Sequence, residues 1–406
     1  MNCPTCTHKL QEKWSYCPIC GSQVSEEIKE FLTDKATYLS LRDVNIPVIQ
    51  EKFESIKNII ILPFFKEKKI RSVLGDKAHV NLFQAQIIST ACVSPRLTEW
   101  TFMIAKLAGY YMVYTPTRSR GVKQALDLIK SGEESWKIPA NAKIVSLLKT
   151  AWMKNGLGEI IKVDAAPDGT VTYKVKDVCC SIEAVGSKYC SLVAVLCGQA
   201  EALTDSLWCG ELAGCQHLGR ECCTVKIKPG DEKFINQNLE ETELSDILDS
   251  IVESIVAEKP RYPRQSLGDD FHFSMHQVLN CLLVTPSPGH YVLAKHAGVL
   301  TGKRLAEKAG INGRDEALNY LKDVFTHLKA GILSPPETRE EKTIIKMNES
   351  AYSSGVSDMH SKLDAFPAGI IEGALNQATD DKWRVEETKC QANGDETCEF
   401  QAKKIN

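Results

Sequence analysis

The chain has 406 residues, 43% of them hydrophobic and 25% charged, and 49 basic against 52 acidic side chains leave a net charge of −3. That length and balance support two or three cored domains and exclude a disordered or collagen-like chain. They also give no global attraction to phosphate backbones or anionic lipid, so nucleic acid is not an expected partner. The longest run without a charged side chain, 271–294, holds His272, His276, Gln277, Asn280, Pro286 and Pro288, so no membrane span is expected. The chain opens Met-Asn-Cys-Pro without a basic segment and apolar run, which predicts a cytoplasmic protein. Sixteen cysteines are many for a reducing compartment, so metal binding or thiol chemistry is expected of several.

Residues 1–24 hold two Cys-x-x-Cys knuckles, Cys3/Cys6 and Cys17/Cys20. Four thiolates at this spacing fill a closed tetrahedral site, so they predict a zinc ribbon with structural zinc and no open catalytic position. Lysines and glutamates alternate over 1–30, which is not a phosphate-binding surface. Residues 25–69 read as a connecting helix and strand segment.

Beyond it the chain echoes itself. Leu74-Gly75-Asp76 with His79 and Gln84 returns as Leu267-Gly268-Asp269 with His272 and Gln277, at an offset of 193. Ala105-Lys106-Leu107-Ala108-Gly109 returns as Ala294-Lys295-His296-Ala297-Gly298. The strand-like 171–175 returns at 343–347, and Cys215 and Cys223 return as Cys390 and Cys398. Two diverged tandem copies, 70–228 and 262–404, explain the order. The first carries a surface insertion within 117–143, and its repeated His79 reads as a structural hydrogen-bonding residue like His272. Between the copies, 229–261 holds Leu244, Ile247, Leu248, Ile251 and Ile255 at helical spacing among carboxylates, an amphipathic linker helix acting as a strut. Helices precede strands in each copy, so the predicted class is α+β.

The second copy contains Asp364-Ala-Phe-Pro-Ala-Gly369, Glu387-Thr-Lys-Cys390, the Gly394-Asp395 turn and Cys398-Glu-Phe400. At these residues it resembles the 4-vinyl reductase domain family. The resemblance spans 262–404 and extends to the first copy through the repeat. It implies helices packed on an antiparallel sheet, similar to vesicle-tethering complex subunits, and use as a small-molecule sensor or adaptor without necessary catalysis. The zinc pattern of some sensor members falls on Asp364, Glu387, Cys390 and Cys398, with Asp364 where the family has Cys. In the first copy the thiols match at Cys190, Cys215 and Cys223, with Glu211 displaced by one residue and Leu212 in its place. Cys390 and Cys398 are either ligands or core thiols beside a turn, and Cys209 is an alternative fourth donor to Glu211. By thiolate count the first copy is expected to hold metal more tightly. The surplus Cys179, Cys180, Cys197, Cys209 and Cys222 are either a redox-responsive cluster or small buried hydrophobes.

No phosphate loop, His-Glu-x-x-His or nucleophile elbow is present, so no catalytic residue is assigned. The expectation is a zinc-containing tandem sensor that binds a small hydrophobic or aromatic ligand and signals to a protein partner or as a homodimer. His296, Phe366 and Ile370 are its candidate ligand-binding residues. The alternatives are an accessory or catalytic subunit in tetrapyrrole or other cofactor metabolism, and a thiol-based redox sensor.

Overall fold

The computed structural model describes residues 69–93, 97–117, 120–179, 190–230, 241–284, 288–339, 342–357, 359 and 361–405. The ribbon cysteines Cys3, Cys6, Cys17 and Cys20, the connecting segment up to residue 68 and Cys180 lie outside them.

The first half contains β1 (Lys77–His79), α1 (Val80–Val93), α2 (Leu97–Thr117), α3 (Arg120–Lys130), α4 (Ala142–Lys154), β2 (Glu159–Ala165), β3 (Val171–Lys176), α5 (Ser191–Thr204), β4 (Trp208–Gly214) and β5 (Cys223–Pro229). After α6 (Glu241–Val256) come β6 (Asp270–His272), α7 (Phe273–Val284), α8 (Pro288–Ala309), α9 (Arg314–His327), β7 (Ile332–Leu333), β8 (Glu337–Arg339), β9 (Lys342–Asn348), α10 (Ala365–Ala378), β10 (Trp383–Lys389) and β11 (Cys398–Lys404). One antiparallel sheet runs β2-β3-β5-β4 and the other β10-β11-β9-β7, with β8 also on β9. Helices and antiparallel sheets in this arrangement make the chain α+β.

The repeated sequence words have local physical roles. Gly75 and Gly268 take left-handed φ values of 71° and 67° at the turn into β1 and β6, a conformation open to glycine. His79 Nδ1 accepts the Asn81 N–H at 3.1 Å and His272 Nδ1 accepts the Ser274 N–H at 3.2 Å, so both histidines cap the helix that follows. In the Ala-Lys-x-Ala-Gly word, Lys106 pairs with Glu201 at 2.6 Å and Lys295 with Glu372 at 2.8 Å. Its glycine lets two helices touch backbone to backbone. A Cβ on Gly109 would lie 2.2 Å from the Val195 carbonyl oxygen, and one on Gly298 2.2 Å from that of Phe366. On the α10 side, a Cβ on Gly369 would lie 2.0 Å from the Lys295 carbonyl oxygen. Gly369→Ala should therefore cost about 3 kcal/mol, at the upper end of overpacking, because backbone cannot yield as a side chain can. Gly310→Ala, in open space at φ 67°, should cost only about 1 kcal/mol, and urea midpoints of the two variants check the difference.

The halves are joined by crossed arms. β1 pairs antiparallel with β6, Lys77 opposite His272 and His79 opposite Asp270. The His79 N–H donates to the Leu328 carbonyl at 3.0 Å, and the His272 N–H to the Asn155 carbonyl at 2.8 Å. Arg71, buried, donates to the carbonyls of Gly75, Lys77, Lys329 and Glu349, while Arg264, also buried, donates to those of Gly156 and Asp177. Each arm thus satisfies carbonyls of the other half. α6 buries Leu244, Ile247, Leu248, Ile251, Val252 and Ile255 between α1 and α8, and Arg304 reaches its Asp249 at 3.0 Å.

The segment 117–143 is more than a surface insertion. Leu126 and Ile138 enter the core, and the Tyr173 hydroxyl donates to the Pro139 carbonyl at 3.0 Å.

Candidate metal centre

Four elements converge at the end of the β10-β11-β9 sheet. Asp364 precedes α10 at its N-cap. Glu387 lies on the inward face of β10, whose alternate residues Trp383, Val385 and Glu387 are buried. Cys390 follows a bulge at the end of β10, and its N–H donates to Asp395 Oδ2 at 2.9 Å. The turn then passes through Gly394 at φ 91° and delivers Cys398 to the start of β11. The spacing of Glu, Cys, Gly-Asp and Cys is thus that of one strand end, one turn and the next strand start.

The donor atoms of Asp364, Cys390 and Cys398 lie within 4.8 Å of one another, all three side chains fully buried. Asp364 Oδ2 is 3.1 Å from Cys398 Sγ and 3.5 Å from Cys390 Sγ, while Oδ1 accepts the Ser350 hydroxyl. Ser353 Oγ is 3.1 Å from Cys398 Sγ. Glu387 is 1% exposed; its Oε2 accepts the Tyr291 hydroxyl and the Asp364 N–H, each at 3.1 Å. Its Oε1 has no hydrogen-bond partner among the described residues.

Burial, then the neighbouring Asp364 and Cys390, holds the Glu387 carboxyl well above the usual range, and burial raises Asp364. Cys390 is raised by the Cys398 thiol and then by burial. Two carboxyls and two thiols buried together with an unpartnered oxygen are costly as ions without a cation, and a bound divalent ion would relieve all four. The donor set therefore fits a metal.

The first half is built alike with one substitution. Cys190 sits at the N-cap of α5, Cys215 before the turn and Cys223 at the start of β5. The Cys223 thiol is raised by its hydrogen bond with Cys215 and by burial, with Cys190 within electrostatic reach. Glu211 is not beside them. It is exposed, and the register places Leu212 opposite Val225 as Glu387 is opposite Phe400, so the acid faces outward and an apolar side chain takes its place. Cys209, with its Sγ directed at the Lys228 carbonyl, belongs to the β4 edge. Among the described residues, the set whose donors close on one point is the Asp364 set.

The proposed pocket walls are also placed elsewhere. His296 is exposed, whereas Phe366 and Ile370 are buried in the α8–α10 contact, which the close glycine approaches leave without room for a ligand. A polar and aromatic group that sequence reasoning passed over lies nearby. His276, fully buried, meets Tyr352 edge to face at 4.5 Å and Phe83 at 6.1 Å, and both its ring nitrogens and the Tyr352 hydroxyl lack hydrogen-bond partners among the described residues. The sequence signal was the 193 offset, which pairs His276 with Phe83, an imidazole where its counterpart is apolar. Of the surplus thiols, Cys179 and Cys197 are buried, and burial raises both, Cys197 to about 12.

The family model of the vinyl 4-reductase domain matches residues 343–404, which contain all four donors of this centre. An uncharacterized protein of Methanocaldococcus jannaschii is 26% identical over 152 residues, which are 37% of this chain and 86% of the relative. A crystal structure of a vinyl-4-reductase family protein from the same species is 24% identical and covers 28% of this chain and 68% of its own, with a TM-score of 0.22. No described helix is long and apolar enough to cross a membrane.

Proposed function

We propose that the chain is a zinc-containing regulatory protein in which two diverged 4-vinyl reductase-like domains, 70–228 and 262–404, lie behind an N-terminal zinc ribbon. It binds a small hydrophobic or aromatic molecule and passes the event to a protein partner. The observation that carries the reading is the buried Asp364, Glu387, Cys390 and Cys398 set with its unpartnered carboxylate oxygen, inside the matched vinyl 4-reductase domain. Zinc suits it because borderline-soft Zn²⁺ takes sulfur and oxygen donors together in four-coordinate sites. Domains of this family suggest small-molecule binding, and the unsatisfied His276 and Tyr352 between Phe83 and Phe366 are the best-placed interior groups to meet such a ligand. The recurrence of strand order, helix-capping histidines and crossed arms supports the tandem reading. The raised, buried Cys179 and Cys197 thiols give the redox alternative little support, since a reactive thiol is one kept as thiolate.

Elemental analysis of the purified chain tests the metal. Full-length protein should carry zinc, and the double variant Cys390→Ala/Cys398→Ala should lose one equivalent while keeping the ribbon equivalent. Equal zinc in both proteins refutes the second-half site. For the ligand, a thermal-shift screen with small aromatic compounds should yield stabilisers whose effect falls in His276→Phe.

A further inference from the structure

The two oxygens of Glu387 are in different situations. Oε2 is held from both sides, by the Tyr291 hydroxyl and the Asp364 N–H, whereas Oε1 has no partner among the described residues. Asp364 repeats the pattern: Oδ1 is held by Ser350, and Oδ2 faces both thiols. From this geometry, and resting on the reading of the cluster as a zinc site, we infer that Tyr291 is a positioning residue for the metal, pinning Glu387 so that it ligates through Oε1 alone. Each carboxylate then gives one oxygen and each cysteine one sulfur, which completes a four-coordinate set with no solvent position.

Tyr291 stands near the start of α8, the helix that packs backbone to backbone on α10 and also contacts α1 and α6. Its hydroxyl therefore ties metal occupancy to the helix shared by both halves. A carboxylate held by an outer hydrogen bond has its ligating oxygen aimed before the ion arrives, and loss of such a partner typically weakens metal binding about 10–100-fold. Phenylalanine at this position keeps the ring and removes only the hydroxyl.

Cobalt(II) serves as probe, because its visible bands report coordination number. In full-length protein freed of metal, Tyr291→Phe should raise the cobalt dissociation constant of the second-half site about 10–100-fold. It should also weaken the tetrahedral bands as Glu387 swings, with the melting temperature of the metal-free protein unchanged. Glu387→Gln should reproduce the spectral change, showing that the tyrosine acts through the carboxylate. Wild-type affinity and bands in Tyr291→Phe overturn the inference while the zinc reading stands. A Cys390→Ala/Cys398→Ala protein that binds as much cobalt as the wild type removes the zinc reading itself, and this inference with it.

Discussion

Replacing Arg71 with methionine should lower the apparent unfolding free energy by roughly 4 kcal/mol, measured in urea, a larger loss than at any exposed position. The side chain is 1% exposed and its guanidinium satisfies four backbone carbonyls, two in its own arm and two in the other half, while lying 4.6 Å from the centre of the Phe273 ring. Methionine fills comparable volume, so the loss reports the carbonyls left without donors. An unpaired buried carbonyl costs about 1–3 kcal/mol, and relaxation of the arm recovers part of that total. Arg264→Met should behave similarly, since Arg264 closes the opposite crossing. The double variant should lose less than the sum, because once one arm is detached the short β1–β6 ladder has little left to hold. A change below about 1 kcal/mol in Arg71→Met would show that the arms are not what joins the halves.

The crossing itself was not legible in the sequence. β1 and β6 are three residues each, and nothing in Lys77-Ala-His79 or Asp270-Phe-His272 says that they pair with each other across nearly two hundred residues. The repeat was legible because identical words recurred in order, and most of those words proved to be structural devices: a left-handed glycine, a capping histidine, a lysine with its glutamate, a helix-contact glycine. The same glycines misled the reading of the ligand site. A small residue beside an aromatic signals either a pocket wall or a close backbone approach, and only the distances between α8 and α10 separate the two. The donor set at Asp364, Glu387, Cys390 and Cys398 was readable because a strand, a turn and a strand fix its spacing locally. In the first half the one-residue displacement of Glu211 looked tolerable on a loop; on the strand β4 it inverts the side chain, and Leu212 faces inward instead. The thiolate count that favoured the first half thus loses to a carboxylate that the register turned away.

Acid should destabilise the protein steeply below pH 6.5 through histidines held neutral by the fold. Burial lowers His276 to about 3; burial, and then His327, lowers His79 to about 4; burial lowers His272 to about 4. A folded-state pKa below the unfolded value of about 6.5 means that the unfolded chain takes up protons first as pH falls. The stability is fully present above pH 6.5 and is lost as pH drops towards 4, at about 1.4 kcal/mol per pH unit for each histidine, roughly 4 kcal/mol per unit for the three. The metal centre would lose its ion over an overlapping range as its ligands take up protons, so the slope alone does not isolate the imidazoles. His276→Phe does. Phe83, its counterpart at the 193 offset, occupies the same kind of position on α1, so the ring has a precedent in the fold. The variant should show about one third less loss between about pH 7.5 and 5, and greater stability than the wild type at about pH 5, in urea midpoints measured on metal-free protein. Parallel pH profiles for the two proteins would show that His276 is not held neutral inside the fold, and would remove the interior ligand site that rests on its burial.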